Sequence, residues 1–182
     1  MPLVEAGRIV EDRYVRVPDD APLPQGVPAI VSASRLMAQP AELDGRNAPT
    51  GVLWPNNRNV AELAPWLDRL ALVALVFPGF RDGRAYSQAR RLREQYGFRG
   101  ELRATGQVLR DQFLFLVRAG FDAFEVVKTG DAAAFAQVVS RYEVFYQPSG
   151  DGRPTAATTR RAHAPAARDR AKTSPVETEA RS

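Results

Sequence analysis

The sequence predicts an α/β domain of repeated βα units around a mainly parallel sheet, either open or closed part-way into a barrel. Three observations carry this. Strand-like and helix-like segments alternate every 20 to 30 residues with short connections, the pattern of right-handed parallel crossovers. The run ALVALVF (residues 71–77) is continuously apolar over strand length, as expected where helices cover both faces of a sheet. Glycines stand where the helical patterns stop, at Gly97 and Gly120.

The elements follow in order. LVEAGRIVEDRYVRV alternates apolar and polar residues around Ala6-Gly7 and predicts an N-terminal β-hairpin flap. PDDAPLPQGVP is a Pro-rich connector, so residues 1–27 form an appendage to the domain. AIVSA (29–33) is a strand, with Ser32 or Ser34 starting a short helix through RLMAQPAEL. GVLW (51–54) is a brief strand, and NVAELAPWLDRL is helical despite Pro65.

After the central strand, Ala85, Ala89, Leu92 and Tyr96 recur at helical spacing, with Arg90, Arg91, Arg93 and Glu94 on other faces. Those three arginines are expected to form a solvated face. ELRAT is a strand, QVLRDQFLFLVRAG a largely buried helix and DAFEVV a strand. DAAAFAQVVSRY is a helix capped by Asp131, and VFYQ a final edge strand. The α/β domain therefore spans 28–147. Residues 148–182 lack apolar periodicity and aromatics and are expected to be a disordered basic tail.

Composition removes much chemistry. The chain has 182 residues, no cysteine and one histidine, His163, in the tail. Thiolate nucleophiles, cysteine-ligated metal or iron–sulfur centres and a Ser-His-Asp triad within the domain are excluded. Glu101, Asp111, Asp122 and Glu125 have no spacing that makes them converge, so no metal and no cofactor are expected. The N-terminus lacks a signal-peptide layout and no apolar run suffices to cross a membrane, so a cytoplasmic location is expected.

Net charge is +4. The tail holds seven bases and four acids, so the domain is close to neutral and nucleic-acid binding is not indicated. Positive charge is instead local: nine arginines stand against four acids between residues 81 and 118. Trp54, Trp66, Phe113, Phe115, Phe121, Phe124 and Tyr146 read as core and interface aromatics rather than as a base-stacking platform.

The concentration begins in FPGFRDGRAYSQARRLREQYGFRGELRATG (77–106), directly after the apolar strand. In parallel α/β folds the carboxyl ends of the strands gather binding loops and helix starts, where backbone N–H groups attract anions. Arg81, Arg84, Tyr86, Ser87, Gln88, Arg103 and Arg110 are accordingly the candidate anion-binding residues. Of these, Arg84, Tyr86, Ser87, Gln88 and Arg110 are expected to line one pocket if the two strands are neighbours. The alternative is a small metal-independent enzyme acting on a sulfur or phosphorus oxyanion, with Tyr86, Asp82 or Asp111 as acid or base.

The segments DGRAYSQAR, GELRATGQVLRDQ and GFDAFE together closely resemble the core of a bacterial family of unknown function whose genes commonly adjoin those of assimilatory sulfite reductase. Members are often labelled probable oxidoreductases of sulfite reduction, and weaker similarity reaches back through RIVEDRYVRVPDDAPLP. The resemblance implies a pathway, sulfur assimilation with sulfite reductase as a partner, and not a mechanism; the small oxyanion ligand is read from the arginine-rich loops themselves. The resemblance carries no established catalytic residues.

Overall fold

The computed structural model describes residues 1–126, 130, 131, 133–135, 145, 149 and 155–163. Eight strands form one sheet: β1 (Leu3–Glu5), β2 (Arg8–Val10), β3 (Val15–Arg16), β4 (Ala29–Ser32), β5 (Thr50–Trp54), β6 (Leu72–Phe77), β7 (Glu101–Gly106) and β8 (Ala123–Glu125). Their spatial order is β2-β1-β8-β7-β6-β5-β4-β3. Every pair from β3 to β8 is parallel, whereas β1 pairs antiparallel with both β2 and β8. The α/β architecture is as the sequence predicts.

The chain itself forces the sheet to curl. Laid flat, eight strands at a spacing of about 4.8 Å would hold the outermost two about 34 Å apart. Yet β2 and β3, the two ends of the sheet, are joined by residues 11–14 alone. That link reaches at most about 18 Å fully extended. The edges must therefore approach each other, and of the two predicted alternatives the protein adopts the partial barrel. Arg16 on β3 accordingly reaches Glu125 on β8 at 2.6 Å, across the hollow of the curl. The hairpin is present, turned by Ala6 (φ 47°) and Gly7 (φ 80°). Through β1 it is part of the sheet, and β3 is a separate strand at the opposite edge.

Strand alternation sends residues to two different layers. The convex side carries Val31, Val52, Trp54, Val73, Leu75, Phe77, Leu102, Ala104 and Phe124 into the main core. Packed there are the helices α1 (Ala33–Ala38), α2 (Arg84–Arg90) and α3 (Phe113–Ala119). The concave side holds a smaller cluster of Ile30, Leu72, Ala74 and Tyr14. Next to it lie the charged side chains described below.

Local sequence explains the helix boundaries. Ser32 caps α1 by accepting from the Arg35 N–H at 3.0 Å. Ser32→Ala should cost about 1 kcal/mol, measured by denaturant unfolding. Arg35 is itself buried, and its guanidinium binds Glu42 and the carbonyls of Pro18 and Ala21, fastening the Pro-rich connector to α1. Residues Val60–Trp66 form a 3-10 helix behind an Asn59–Glu62 capping box. The α2 helix runs into a π-helical turn, Arg91–Gln95, that stops at Gly97 (φ 64°).

The helix expected from Gln107 starts late. Gly106 has φ 93° and Leu109 is extended, so a 3-10 turn at Arg110–Gln112 precedes α3. Asp131 and residues 133–135 are helical, while most of the predicted helix through Tyr142 and strand 144–147 lies outside the described residues. Within the tail, Ala156–His163 form a helix. There Thr155 and Thr158 cap each other reciprocally, at 2.8 and 3.2 Å. No helix among the described residues is long and apolar enough to cross a membrane.

Candidate functional site

Two neighbouring loops build the site. Phe77 ends β6 opposite Gly106, which ends β7, and Gln107 N–H donates to the Phe77 carbonyl at 2.8 Å. The connections that follow, 78–83 and 107–109, thus leave the same end of the sheet side by side. This is the carboxyl end, where parallel α/β folds place ligands.

In the first loop, Asp82 is the organiser. Its carboxylate accepts from the Arg84 backbone at 3.3 Å and from the Arg84 guanidinium at 2.9 and 2.6 Å. That ion pair, helped by the Asn56 amide beside it, holds the Asp82 carboxyl well below the usual carboxylate range. Asn56 Nδ2 makes no hydrogen bond of good geometry, and neither do the buried Trp54 Nε1 and Gln88 Oε1. Gln88 is buried under the loop after β5, where its Nε2 donates to the carbonyl of Arg58 at 2.8 Å. The Arg58 guanidinium lies 4.8 Å over the Trp54 ring.

Tyr86 packs edge-on against Phe77, with ring centroids 5.2 Å apart. Burial, and secondarily the charge of Asp111, pushes its hydroxyl up to about 12. Ser87 is exposed on α2. Arg81 and Arg110 are exposed, and neither forms an ion pair among the described residues. The loops after β6 and β7 therefore do meet, but the side chains they carry divide. Arg81 and Arg110 face solvent, Arg84 is anchored to Asp82, Tyr86 is packed and Gln88 is bound to backbone.

Arg103 stands apart from this group. Leu102 and Ala104 face the helices, so Arg103 projects into the hollow of the sheet, on the opposite face from α2. It is only 1% exposed and is ringed by carboxylates: Asp12 at 2.7 Å, Glu101 at 2.8 Å and Glu125 at 3.5 Å. Tyr14 lies 5.5 Å from its guanidinium carbon. Arg16 Nη2 joins the group, donating to Glu125 and to Thr105 Oγ1, and the Thr105 hydroxyl donates to Glu125 at 2.6 Å. This cluster ties β3 to β7 and β8, and with its own acids around it Arg103 has no charge left for an outside anion.

Arg93 corrects the expectation of a wholly solvated arginine face. Its guanidinium is largely enclosed, bonded to the carbonyls of Gly120, Phe98 and Gly100 and paired with Asp122. Arg90 and Arg91 are exposed as expected. Phe115 is exposed on α3, whereas Trp54, Phe113, Phe121 and Phe124 are core residues. Tyr146 lies outside the described residues. Arg16, Asp12 and the pairing of Thr105 with Glu125 are features of the site that no local sequence pattern predicts. The strand alone carries a partial signal: Glu101, Arg103 and Thr105 alternate with Leu102 and Ala104, marking one polar face on a central strand.

Fold and site together define an α/β half-barrel whose carboxyl-end loops present guanidinium groups. A model of the bacterial protein family of unknown function DUF934 matches residues 51–156, and the chain belongs to that family. The matched region starts in β5 and contains both loops. Comparison with curated proteins returns no match.

Proposed function

We propose that the protein is a cytoplasmic accessory protein of assimilatory sulfite reduction. It works by binding an anionic group, an oxyanion or carboxylates of the reductase, and has no redox centre of its own. The resemblance of DGRAYSQAR, GELRATGQVLRDQ and GFDAFE supports the pathway. One observation favours binding over proton transfer. At the carboxyl-end loops two of the three acid–base candidates, Tyr86 and Asp82, are shifted away from that work, while guanidinium groups stay available. Tyr86, with its hydroxyl near 12, holds its proton at neutral pH and is a poor general base. Asp82, held ionised by Arg84, is a poor general acid. Arg81 and Arg110 remain exposed beside them.

A cysteine-free chain cannot ligate an iron–sulfur cluster in the usual manner, and on this reading the electrons of sulfite reduction belong to the partner. Deleting the gene should slow growth on sulfate and leave growth on cysteine unchanged. Equal growth on both sinks the pathway assignment. Purified protein should show no turnover of sulfite, sulfide, adenylylated sulfate or nucleotides, and turnover of any of them would establish the enzyme alternative instead.

A further inference from the structure

The register of β6 and β7 exposes a repeat that the linear sequence hides. Counting from the paired ends Phe77 and Gly106, the third, fourth and fifth residues are Phe80, Arg81 and Asp82 in one loop. In the other they are Leu109, Arg110 and Asp111. Two apolar-Arg-Asp triplets thus begin three residues past paired strand ends, in the two neighbouring loops. Their apolar members are not buried: Phe80 is 54% exposed and Leu109 40% exposed. Phe115, one helical turn beyond Asp111, is 65% exposed. From residue 28 onward these three are the large exposed hydrophobic side chains among the described residues.

Single exposed apolar residues are ordinary. Three at one end of a sheet, with guanidinium groups beside them, have the composition of a protein-binding face, in which aromatic and aliphatic anchors sit inside an arginine rim. We propose that Phe80, Leu109 and Phe115, with Arg81 and Arg110, dock onto an acidic surface of a partner protein. On the function proposed above that partner is the sulfite reductase, and the inference rests on that reading.

Charge selects the occupant. The Asp82 carboxylate is taken by Arg84, which leaves Arg81 and Arg110 against Asp111 alone. An acidic partner complements that balance. A second copy of this chain docked by the same face would bring two patches of net positive charge together. A free oxyanion would leave the apolar side chains without a role.

The test uses the full chain, purified sulfite reductase as the probe, and binding measured by interferometry at two salt concentrations. Wild type should bind, more weakly at high salt. R81E/R110E and F80S/L109S should each weaken binding by about tenfold or more. R99E, with a single charge reversal at the amino end of β7, should leave it unchanged. F115S, on the outer side of α3, provides a second apolar variant if F80S/L109S fails to fold. Wild-type affinity in the loop variants overturns the docking face while leaving the proposed function standing, as does a loss in R99E equal to that in R81E/R110E. No complex in wild type overturns the docking inference, and the growth phenotype then decides separately whether the pathway role survives. Two results reassign the loops and overturn the proposal: R81E/R110E losing calorimetric sulfite binding while keeping the reductase, or F80S/L109S abolishing self-association of the wild type.

Discussion

Replacing Arg103 by leucine should cost about 3–5 kcal/mol of unfolding free energy at pH 7, a large part of a typical domain's margin. The argument is one of unpaired charge. Arg103 is almost wholly enclosed and holds Asp12 and Glu101 by direct hydrogen bonds, with Glu125 within ion-pair distance. Leucine would pack comparably but would leave Glu101 and Asp12 without their cation, and Glu125 with Arg16 alone. Burial already pushes the Glu101 carboxyl up, opposed chiefly by its hydrogen bond to Arg103, so removing Arg103 should raise it further. A carboxyl whose folded pKa lies above its unfolded value binds protons more readily in the folded state. Its destabilisation is therefore full above the folded pKa and is relieved as pH falls through it. R103L should accordingly regain part of its lost stability between pH 7 and 5, relative to wild type. Urea unfolding at the two pH values checks both parts. A loss below 1 kcal/mol with no pH recovery would show that solvent screens the cluster.

That cluster also marks where sequence reading stopped. The order of βα units was legible because ALVALVF is apolar at every position and because Ala85, Ala89 and Leu92 keep helical spacing, both purely local signals. The curl was not. It depends on β3, two residues long, and on Arg16 meeting Glu125 across 109 positions of chain, and no local period encodes such a contact. In the sequence Arg103 falls with Arg84 because both lie in neighbouring elements of one arginine-rich stretch. Strand parity decides otherwise, since a shift of one position on β7 exchanges the helix-covered face for the hollow. Arg93 reads as solvated on a helical wheel, yet the carbonyls of Phe98, Gly100 and Gly120 surround its guanidinium. Backbone acceptors of this kind leave no mark in residue identity. The paired loops were half legible: the sequence places arginines in each, but only the Phe77–Gly106 register shows that the two loops leave neighbouring strand ends, each with an apolar residue three positions on.

That register depends on one glycine, and Gly106→Ala should destabilise the protein by about 2–4 kcal/mol. Gly106 has φ 93°, a backbone conformation that costs a non-glycine residue strain. A Cβ there would also stand 2.4 Å from the Phe77 carbonyl oxygen and 3.2 Å from its carbon. Those are backbone atoms of a central strand, so they cannot swing aside as the end of a side chain could. Relief requires β7 to move away from β6, which breaks the 2.8 Å bond from Gln107 N–H to the same carbonyl. Gly45→Ala is the matched control. It also has positive φ, 75°, but nothing lies within 4 Å of an added Cβ, so it should show the strain alone, about 1–2 kcal/mol. Thermal or urea unfolding of both variants separates close approach from backbone strain, and equal losses would remove the close approach as a cause. Because the displaced segment carries Leu109 and Arg110 away from Phe80 and Arg81, G106A should also bind the reductase more weakly at temperatures where it remains fully folded. G45A should bind as wild type does.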